Sequence, residues 1–193
     1  MSIATQDISA VILAGGRSTR MGGKNKGLLP FRGRPMIQHV IDRIRPQVDT
    51  ILISANQDLD AYKGFGYSVV TDQTADYSGP LAGMLAALSV MQTEWLVSVP
   101  CDVPFIGADF VARLANDDKA LLRVAHDGER QQSACCLMHR DIRDALEQYL
   151  QSGQHALYRF HAEQQALAVD FSNQADMFIN INTPSELNER EAD

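Results

Sequence analysis

The residues in this chain best suited to chemistry are glycines, cations and carboxylates placed where a phosphate could be handled. Gly15-Gly16 follow the apolar run Ala10-Val11-Ile12-Leu13, and Gly22-Gly23 come shortly after, with Arg17, Arg20, Lys24 and Lys26 spread through the same stretch. Glycines let backbone N–H groups approach phosphate oxygens without a Cβ in the way. Arg20 would give an anion bidentate hydrogen bonds, and Lys26 a compact point charge. A charge-assisted hydrogen bond contributes about 1.5–3 kcal/mol, so two or three aimed at developing charge would matter to a phosphoryl or nucleotidyl transfer. Asp102 follows the apolar segment Trp95–Val99 and precedes Val103-Pro104. A carboxylate at such a tip suits a hard cation such as Mg²⁺ better than it suits a general base.

Known phosphate loops do not fit. A Walker A motif needs Gly six residues before its Lys and Ser or Thr after it; Lys24 has Ser18 and Asn25 there, and Lys26 has Arg20 and Gly27. Gly-x-Gly-x-x-Gly fails too, because Gly15-Gly16 has no spacer and the next glycine is Gly22. Zinc is not supported, since Cys135-Cys136 has no spacer and Cys101 stands alone. Cys101 reads as a small buried residue rather than a nucleophile. His39, His126, His139, His155 and His161 form no metal-spacing motif.

These groups need elements to hold them. Ala10–Leu13 reads as a buried strand running into a glycine turn, followed by a long Gly-rich and basic loop over Arg17–Pro35. Ile37, Val40, Ile41 and Ile44 recur at helical spacing, so a helix is expected over about Met36–Gln47. Strands are expected at Thr50–Ser54, up to Val69-Val70 and at Trp95–Val99, and a helix over Pro80–Met91, with proline in its first turn. Further on, a helix is expected at Ala108–Leu114, strands at Leu121–His126 and Ala134–Met138, a helix at about Arg140–Leu150 and an edge strand at Ala166–Phe171. Met177–Asn182 alternates weakly before a last helix beginning at Thr183-Pro184.

Strands alternating with helical patterns imply right-handed crossovers, a mainly parallel sheet and helices on both faces. The expectation is one α/β domain spanning residues 1–193, a three-layer Rossmann-like arrangement. In such sheets ligands bind outside the carboxyl ends of the strands. Four ends carry polar or backbone-exposing groups: Gly15-Gly16, Ser54-Ala55-Asn56, Asp72 and Asp102. Any one of these can be read as ordinary turn chemistry; the four together read as a site.

Composition narrows the class. The chain has 193 residues, 45% hydrophobic and 21% charged, which suits a folded domain with its own core rather than a disordered chain. The net charge, 17 − 24 = −7, argues against a general nucleic-acid binder. The charge is uneven. Eight basic residues and one acid, Asp42, lie between Arg17 and Arg45, whereas eight basic and eighteen acidic residues lie from Gln73 onward. A basic patch in an acidic protein suggests a small anionic ligand, although a solvated basic face would look the same. No apolar run is long enough for a membrane helix. Met1–Ser9 has no secretory character, and three cysteines make no disulfide framework, so a cytoplasmic setting is expected.

The segment Leu13-Ala14-Gly15-Gly16-Arg17-Ser18-Thr19-Arg20-Met21-Gly22-Gly23-Lys24-Asn25-Lys26 resembles the signature of nucleotidyltransferases that activate sugars and other phosphates. Asp76-Tyr77-Ser78-Gly79-Pro80-Leu81-Ala82-Gly83-Met84 and Phe178-Ile179-Asn180-Ile181-Asn182-Thr183-Pro184 narrow the likeness to the molybdenum cofactor guanylyltransferases. Length and motif order match as well, so the resemblance spans essentially the whole chain.

The resemblance implies transfer of GMP from Mg-GTP to the terminal phosphate of molybdenum-loaded molybdopterin, with release of pyrophosphate. It implies that Leu13, Ala14, Gly15 and Lys26 bind GTP, that Asp72 contacts the nucleotide, and that Asp102 binds Mg²⁺ and GTP. Asn180 and Asn182 would face the pterin phosphate or the metal. Some members carry Asn-x-Asn after the second strand. Here the first position is Ser54, so Asn56 is the candidate for that contact. Gly79 and Gly83 would lie against the purine edge. Arg20, Lys26 and Asp102 are the candidate catalytic residues. A monomer is expected, with transient contacts to cofactor-donating and cofactor-receiving proteins and no nucleic acid or membrane partner. Two rivals stand beside this reading: a cytidylyl- or sugar-nucleotidyltransferase on the same scaffold, and a non-catalytic cofactor carrier.

Overall fold

The computed structural model describes residues 2–15, 25–72, 79–116 and 119–181. Strand β1 (Ile8–Leu13) is followed by a 3-10 turn at Lys26–Leu28, the short hairpin β2 (Pro30–Phe31) and β3 (Arg34–Pro35), and helix α1 (Met36–Ile44). Then come β4 (Thr50–Ser54), α2 (Leu59–Lys63), β5 (Ser68–Val70), α3 (Pro80–Val90), β6 (Trp95–Pro100) and α4 (Phe110–Leu114). The chain continues through β7 (Leu122–His126), β8 (Gln131–His139), α5 (Arg143–Gln151), α6 (Leu157–Glu163) and β9 (Leu167–Asp170).

One sheet of seven strands runs β5-β4-β1-β6-β8-β7-β9. Strand β1 pairs in parallel with both β4 and β6, β4 with β5, and β7 with β9. Among the described strands of this sheet, β8 alone runs the other way, antiparallel to β6 and β7. The sheet is thus mixed but mostly parallel, as expected for strands linked by helical crossovers.

The alternation of side chains along the strands explains the two covering layers. Ile8, Ala10 and Ile12 point to one face with Ile51, Ile53, Trp95, Val97 and Val99, where α1 buries Ile37, Val40, Ile41 and Ile44. Val11, Leu52 and Leu96 point to the other, against Leu81, Met84, Ala87 and Leu88 of α3 and Leu146, Tyr149 and Phe160 of α5 and α6. Helix α3 is apolar almost all round, with Leu81 to Met84 and Ala86 to Leu88 buried. It lies between the sheet and α5, and its exposed positions fall at its two ends, Pro80 and Ser89-Val90.

Several expected elements differ in detail. The helix starting at Met36 ends at Ile44 and tightens into a 3-10 turn over Arg45–Gln47, because Pro46 cannot supply the amide hydrogen a continuing α-helix needs. Strand β8 extends well before Ala134, to Gln131, with a register shift opposite Val124 and Ala125. Where Met177–Asn182 alternates weakly, a 3-10 segment over Ser172–Phe178 buries Met177 and Phe178. Phe178 packs edge-on to Phe110 and Phe171, with ring centroids 6.3 and 5.5 Å away. The expected helix after Thr183-Pro184 lies outside the described residues.

His161 in α6 is 1% exposed, and neither ring nitrogen has a hydrogen-bond partner among the described residues. Burial pushes its pKa down from 6.5 to about 4. The unfolded chain takes up this proton near pH 6.5 and the folded chain only near pH 4, so between those values the unfolded state binds more protons and stability falls as pH falls. At about 1.4 kcal/mol per pH unit, the full effect is on the order of 3 kcal/mol. We expect urea unfolding between pH 7 and 4 to show the wild type losing stability relative to His161→Phe, with the gap developing below pH 6.5. Parallel curves across that range would contradict the assignment.

Candidate active site

Parallel pairing on both sides of β1 brings the carboxyl ends of β4, β1 and β6 to one level. Leu13 registers with Ser54 on one side and with Pro100 on the other. The ladder continues past the strands: the Ala14 amide donates to the Ser54 carbonyl at 2.8 Å, Cys101 to Leu13 at 3.0 Å, and Ala55 to Val70 at 3.0 Å. Gly15, Asn56, Asp72 and Asp102 therefore leave the sheet from one edge. Gly15 passes close to Asn56: a Cβ built on it would stand 3.3 Å from the Asn56 amide nitrogen. Arg20 and the glycines from Gly16 to Gly23 lie outside the described residues.

At the end of β6, Asp102 meets Lys26, which returns from the basic loop. The Lys26 ammonium donates a hydrogen bond to Asp102 Oδ2, and both side chains are mostly buried, at 18% and 14% exposure. The other carboxylate oxygen, Asp102 Oδ1, is buried with no hydrogen-bond partner among the described residues. A buried carboxylate oxygen without a donor carries a desolvation cost, and a cation bound there would relieve it. Among the described residues no three His, Cys, Asp or Glu side chains cluster as a metal cage. One carboxylate completed by substrate phosphates and water is the arrangement Mg²⁺ commonly accepts. The donor set thus fits Mg²⁺ and does not fit a metal held by protein alone.

The turn that carries Lys26 rests on buried residues. Asn25 precedes it, and Gly27 follows it against Tyr62 and Cys101. A Cβ on Gly27 would lie 2.8 Å from the Tyr62 hydroxyl oxygen and 3.3 Å from Cys101 Sγ. Burial, with the neighbouring Asp102 charge, pushes the Cys101 thiol up to about 12. It is therefore a packed neutral group and not a nucleophile. On the other side of Asp102, its carbonyl accepts the Ile181 amide at 3.1 Å. That bond sets exposed Asn180 beside the Asp102 backbone. Asn182 lies outside the described residues.

At the ends of β4 and β5, Asn56 and Asp72 form a reciprocal pair. The Asn56 amide donates to Asp72 Oδ2 at 2.8 Å, and the Asp72 backbone amide donates to Asn56 Oδ1 at 2.9 Å. Burial raises the Asp72 pKa above the ordinary carboxylate value, and the Asn56 hydrogen bond partly offsets this. Ser54 is 3% exposed and faces Gly83 of α3: a Cβ on Gly83 would lie 2.3 Å from Ser54 Oγ and 3.1 Å from Leu13 Cδ2. Ser54 and Gly83 are thus matched in size where helix meets sheet, and the polar side chain open to a ligand at this strand end is Asn56. Gly79, which caps the start of α3 with φ +74°, is exposed, and among the described residues nothing lies within 4 Å of its Cβ position.

Sequence reasoning missed three residues that build this site: Asn25, Asp58 and Tyr62. Asn25 adjoins a candidate lysine, which was a usable signal. Asp58 and Tyr62 lie on and before a five-residue helix with no periodicity to read, and they reach Asn25 only through the fold.

Residues 10–167 match the family described as the MobA-like NTP transferase domain. A molybdenum cofactor guanylyltransferase of Shewanella sediminis is 43% identical over 182 residues, covering 93% of each chain. One from Yersinia pseudotuberculosis is 46% identical over 181 residues, again covering 93% of each. Among solved structures, molybdopterin-guanine dinucleotide biosynthesis protein A of Archaeoglobus fulgidus superposes with a TM-score of 0.78 at 19% identity, over 95% of this chain and 97% of that one.

The contact between Gly83 and Ser54 generates an expectation. Gly83→Ala should destabilise by about 1–3 kcal/mol, the usual cost of overpacking a tight interface, even though alanine is the better helix former. Ser54→Ala removes the nearest atom and should restore part of that loss. Thermal unfolding of both single variants and the double variant reads the coupling. Additive effects would show that the two side chains do not compete for the same space.

Proposed function

This chain belongs to the family of MobA-like NTP transferase domains and, within it, groups with the molybdenum cofactor guanylyltransferases, and we propose that it transfers GMP from GTP to the terminal phosphate of molybdenum-loaded molybdopterin. In that reaction an acceptor phosphate oxygen bonds to the α-phosphorus of GTP. The bond from that phosphorus to the oxygen bridging to the β-phosphate breaks, and pyrophosphate leaves. The observation that carries the reading is the Lys26–Asp102 pair at the end of β6, with one buried carboxylate oxygen still lacking a donor.

The chemistry needs charge compensation rather than proton transfer. A phosphate monoester has a second pKa of about 6, so the acceptor is mostly dianionic at neutral pH and requires no general base. The difficulty is bringing two anions together in line. Lys26 would place its ammonium on the triphosphate, with Arg20 and the amides of Ala14 and Gly15 adding donors. Asp102 would hold Mg²⁺, which supplies a Lewis acid and a template for the phosphates when bound.

Lys26 and Asp102 already neutralise each other. Asp102 would offer its other oxygen, Oδ1, to Mg²⁺ while Oδ2 keeps Lys26 in place, so neither charge would pass through a buried, unpaired state, which would be costly. Leu13 would pack against the nucleotide, and Asn56 with Asp72 would address its base or ribose. Gly79 is open enough for a purine edge to approach, whereas Gly83 acts by letting α3 sit close to β4. Asn180 and Asn182 would meet the acceptor's phosphate.

We place the reaction in the cytoplasm, on a monomer that meets cofactor-donating and cofactor-receiving proteins transiently. Cys101, Cys135 and Cys136 are buried free thiols, which suits a reducing compartment. Among the described residues no helix is long and apolar enough to cross a membrane.

Pyrophosphate release in a panel of GTP, CTP, ATP and UTP with molybdenum-loaded molybdopterin tests the assignment. GTP should be strongly preferred, because a site that hydrogen-bonds guanine leaves buried polar groups unpaired with another base. Equal turnover with CTP or ATP would favour a different transferase on this scaffold, and no release with any nucleotide would favour a carrier.

Asp102→Ala should lower turnover by about 10²–10³ or more, as expected for loss of one preorganised electrostatic element, and should flatten the Mg²⁺ dependence. Lys26→Ala should also lower turnover, and it should lower the melting temperature as well, because it leaves the mostly buried Asp102 carboxylate without its partner; turnover is therefore compared per folded molecule. An Asp102→Ala enzyme with native rate and native Mg²⁺ dependence would remove that residue from the mechanism.

A further inference from the structure

Tyr62 is fully buried, 0% exposed, on a helix of five residues that the proposed reaction does not use. A buried phenol normally needs a partner for its hydroxyl. Here the hydroxyl donates to Asn25 Oδ1 at 2.8 Å. The nitrogen of the same amide donates to Asp58 Oδ2 at 3.2 Å. Oxygen and nitrogen of Asn25 are thus both committed, one to a donor and one to an acceptor, so its amide has one workable orientation. Asp58 stands in the left-handed region, φ +52° and ψ +35°, where Asp is among the few tolerated side chains. Its carbonyl accepts the Tyr62 amide at 3.1 Å, which ties the two anchor residues together.

The consequence falls on the next residue. Asn25 opens the 3-10 turn: its carbonyl accepts the Leu28 amide at 3.0 Å, and the Lys26 carbonyl accepts the Leu29 amide at 3.2 Å. Leu29 in turn accepts the Met36 amide at 2.9 Å at the head of α1. The Tyr62 oxygen also lies 2.8 Å from where a Gly27 Cβ would stand, so the turn packs against it at Gly27 as well as at Asn25. We propose that Tyr62 is a positioning residue, whose hydroxyl clamps Asn25 and so fixes the turn that presents Lys26 to Asp102 and to the phosphates. The proposal rests on the transferase reading for the role of Lys26, and on geometry alone for the clamp.

Tyr62 takes no part in proton transfer. Burial first, then the nearby Cys101 and Asp58, push its ionisation far above neutral pH, so it is a neutral donor at every working pH. Tyr62→Phe keeps the ring, including its packing near Phe65 with centroids 6.3 Å apart, and removes only the hydroxyl.

Two measurements on the whole protein test the clamp. The first is hydrogen exchange read by mass spectrometry. Tyr62→Phe should speed exchange across residues 25–36 and leave β1, β4 and α3 at their wild-type rates. Asn25→Ala, which breaks the same bond from the other side, should do likewise. Unchanged exchange at 25–36 in both variants overturns the proposal whatever the activity shows.

The second is steady-state turnover with Mg-GTP and the loaded acceptor. Tyr62→Phe should lower kcat about tenfold with little change in the KM for GTP, because a misplaced charged group weakens alignment more than binding. Added to Lys26→Ala, it should lower kcat by less than about twofold, since residues acting through one interaction are not additive. A full tenfold loss in the Lys26→Ala background would assign Tyr62 to the fold in general and overturn the positioning role. A wild-type enzyme that releases no pyrophosphate from GTP overturns the transferase reading, and the exchange measurement still decides the clamp.

Discussion

Everything at the candidate site depends on β1 being paired in parallel on both sides. Three parallel strands in register end together, so residues far apart in sequence leave the sheet at one edge: Ala14 and Gly15, then Asn56, then Asp102. Parallel pairing needs crossovers, and crossovers need apolar strands buried on both faces. That demand explains why β1, β4 and β6 are apolar on both faces rather than alternating between apolar and charged side chains. Strand β8 lies next to β6 in the sheet and runs antiparallel to it, reversing the direction of the ladder. The cluster of parallel carboxyl ends is therefore bounded on that side, and Asp102 stands at its border. The Ile181 amide closes the border by bonding to the Asp102 carbonyl.

Much of this architecture was legible in the sequence because its signals are local. Ala10–Leu13, Thr50–Ser54 and Trp95–Val99 are short apolar runs bounded by turn residues, and all three are strands at nearly the expected bounds. The helical spacing of Ile37, Val40, Ile41 and Ile44 placed α1, because one buried stripe repeats with the helical period. Polar residues following apolar strands marked the site edge, and Asn56, Asp72 and Asp102 do stand there.

What was not legible is short, irregular or paired at a distance. The hairpin Pro30–Pro35 turns through Arg32 at φ +49° and Gly33 at φ +76°, a left-handed pair for which Asn-Gly is the usual signal. An arginine there gives no such cue; its guanidinium lies over the rings of Phe31 and Phe105, with centroids 5.3 and 5.9 Å away. Helices α2 and α6 are too short for periodicity to distinguish them from turns. The weak alternation at Met177–Asn182 left its element open: Met177 and Phe178, adjacent residues, are both buried from a 3-10 segment, so burial there follows no period of two. Gly83 looked like a residue kept small for a ligand. Its size is set by Ser54 across the α3–β4 contact, 29 positions away in sequence.

The pairings at the site share one logic. Lys26 holds Asp102, Asn56 holds Asp72, and Asn25 is held by Tyr62 and Asp58. Each polar group is satisfied by a neighbour before any substrate is considered, as partly buried polar groups must be. Such self-saturation lowers the net gain from binding, since each new contact replaces an old one. The compensating benefit is precision. Side chains locked by partners do not have to be ordered when the substrate arrives, and a transfer between two anions depends on alignment more than on affinity. Asp102 Oδ1 departs from the rule, a buried acceptor with no donor among the described residues. It stands where a cation would add charge without displacing any existing bond. The same carboxylate can thus keep Lys26 in place through one oxygen and offer the other to a metal, joining the lysine's turn and the central strand through a single side chain.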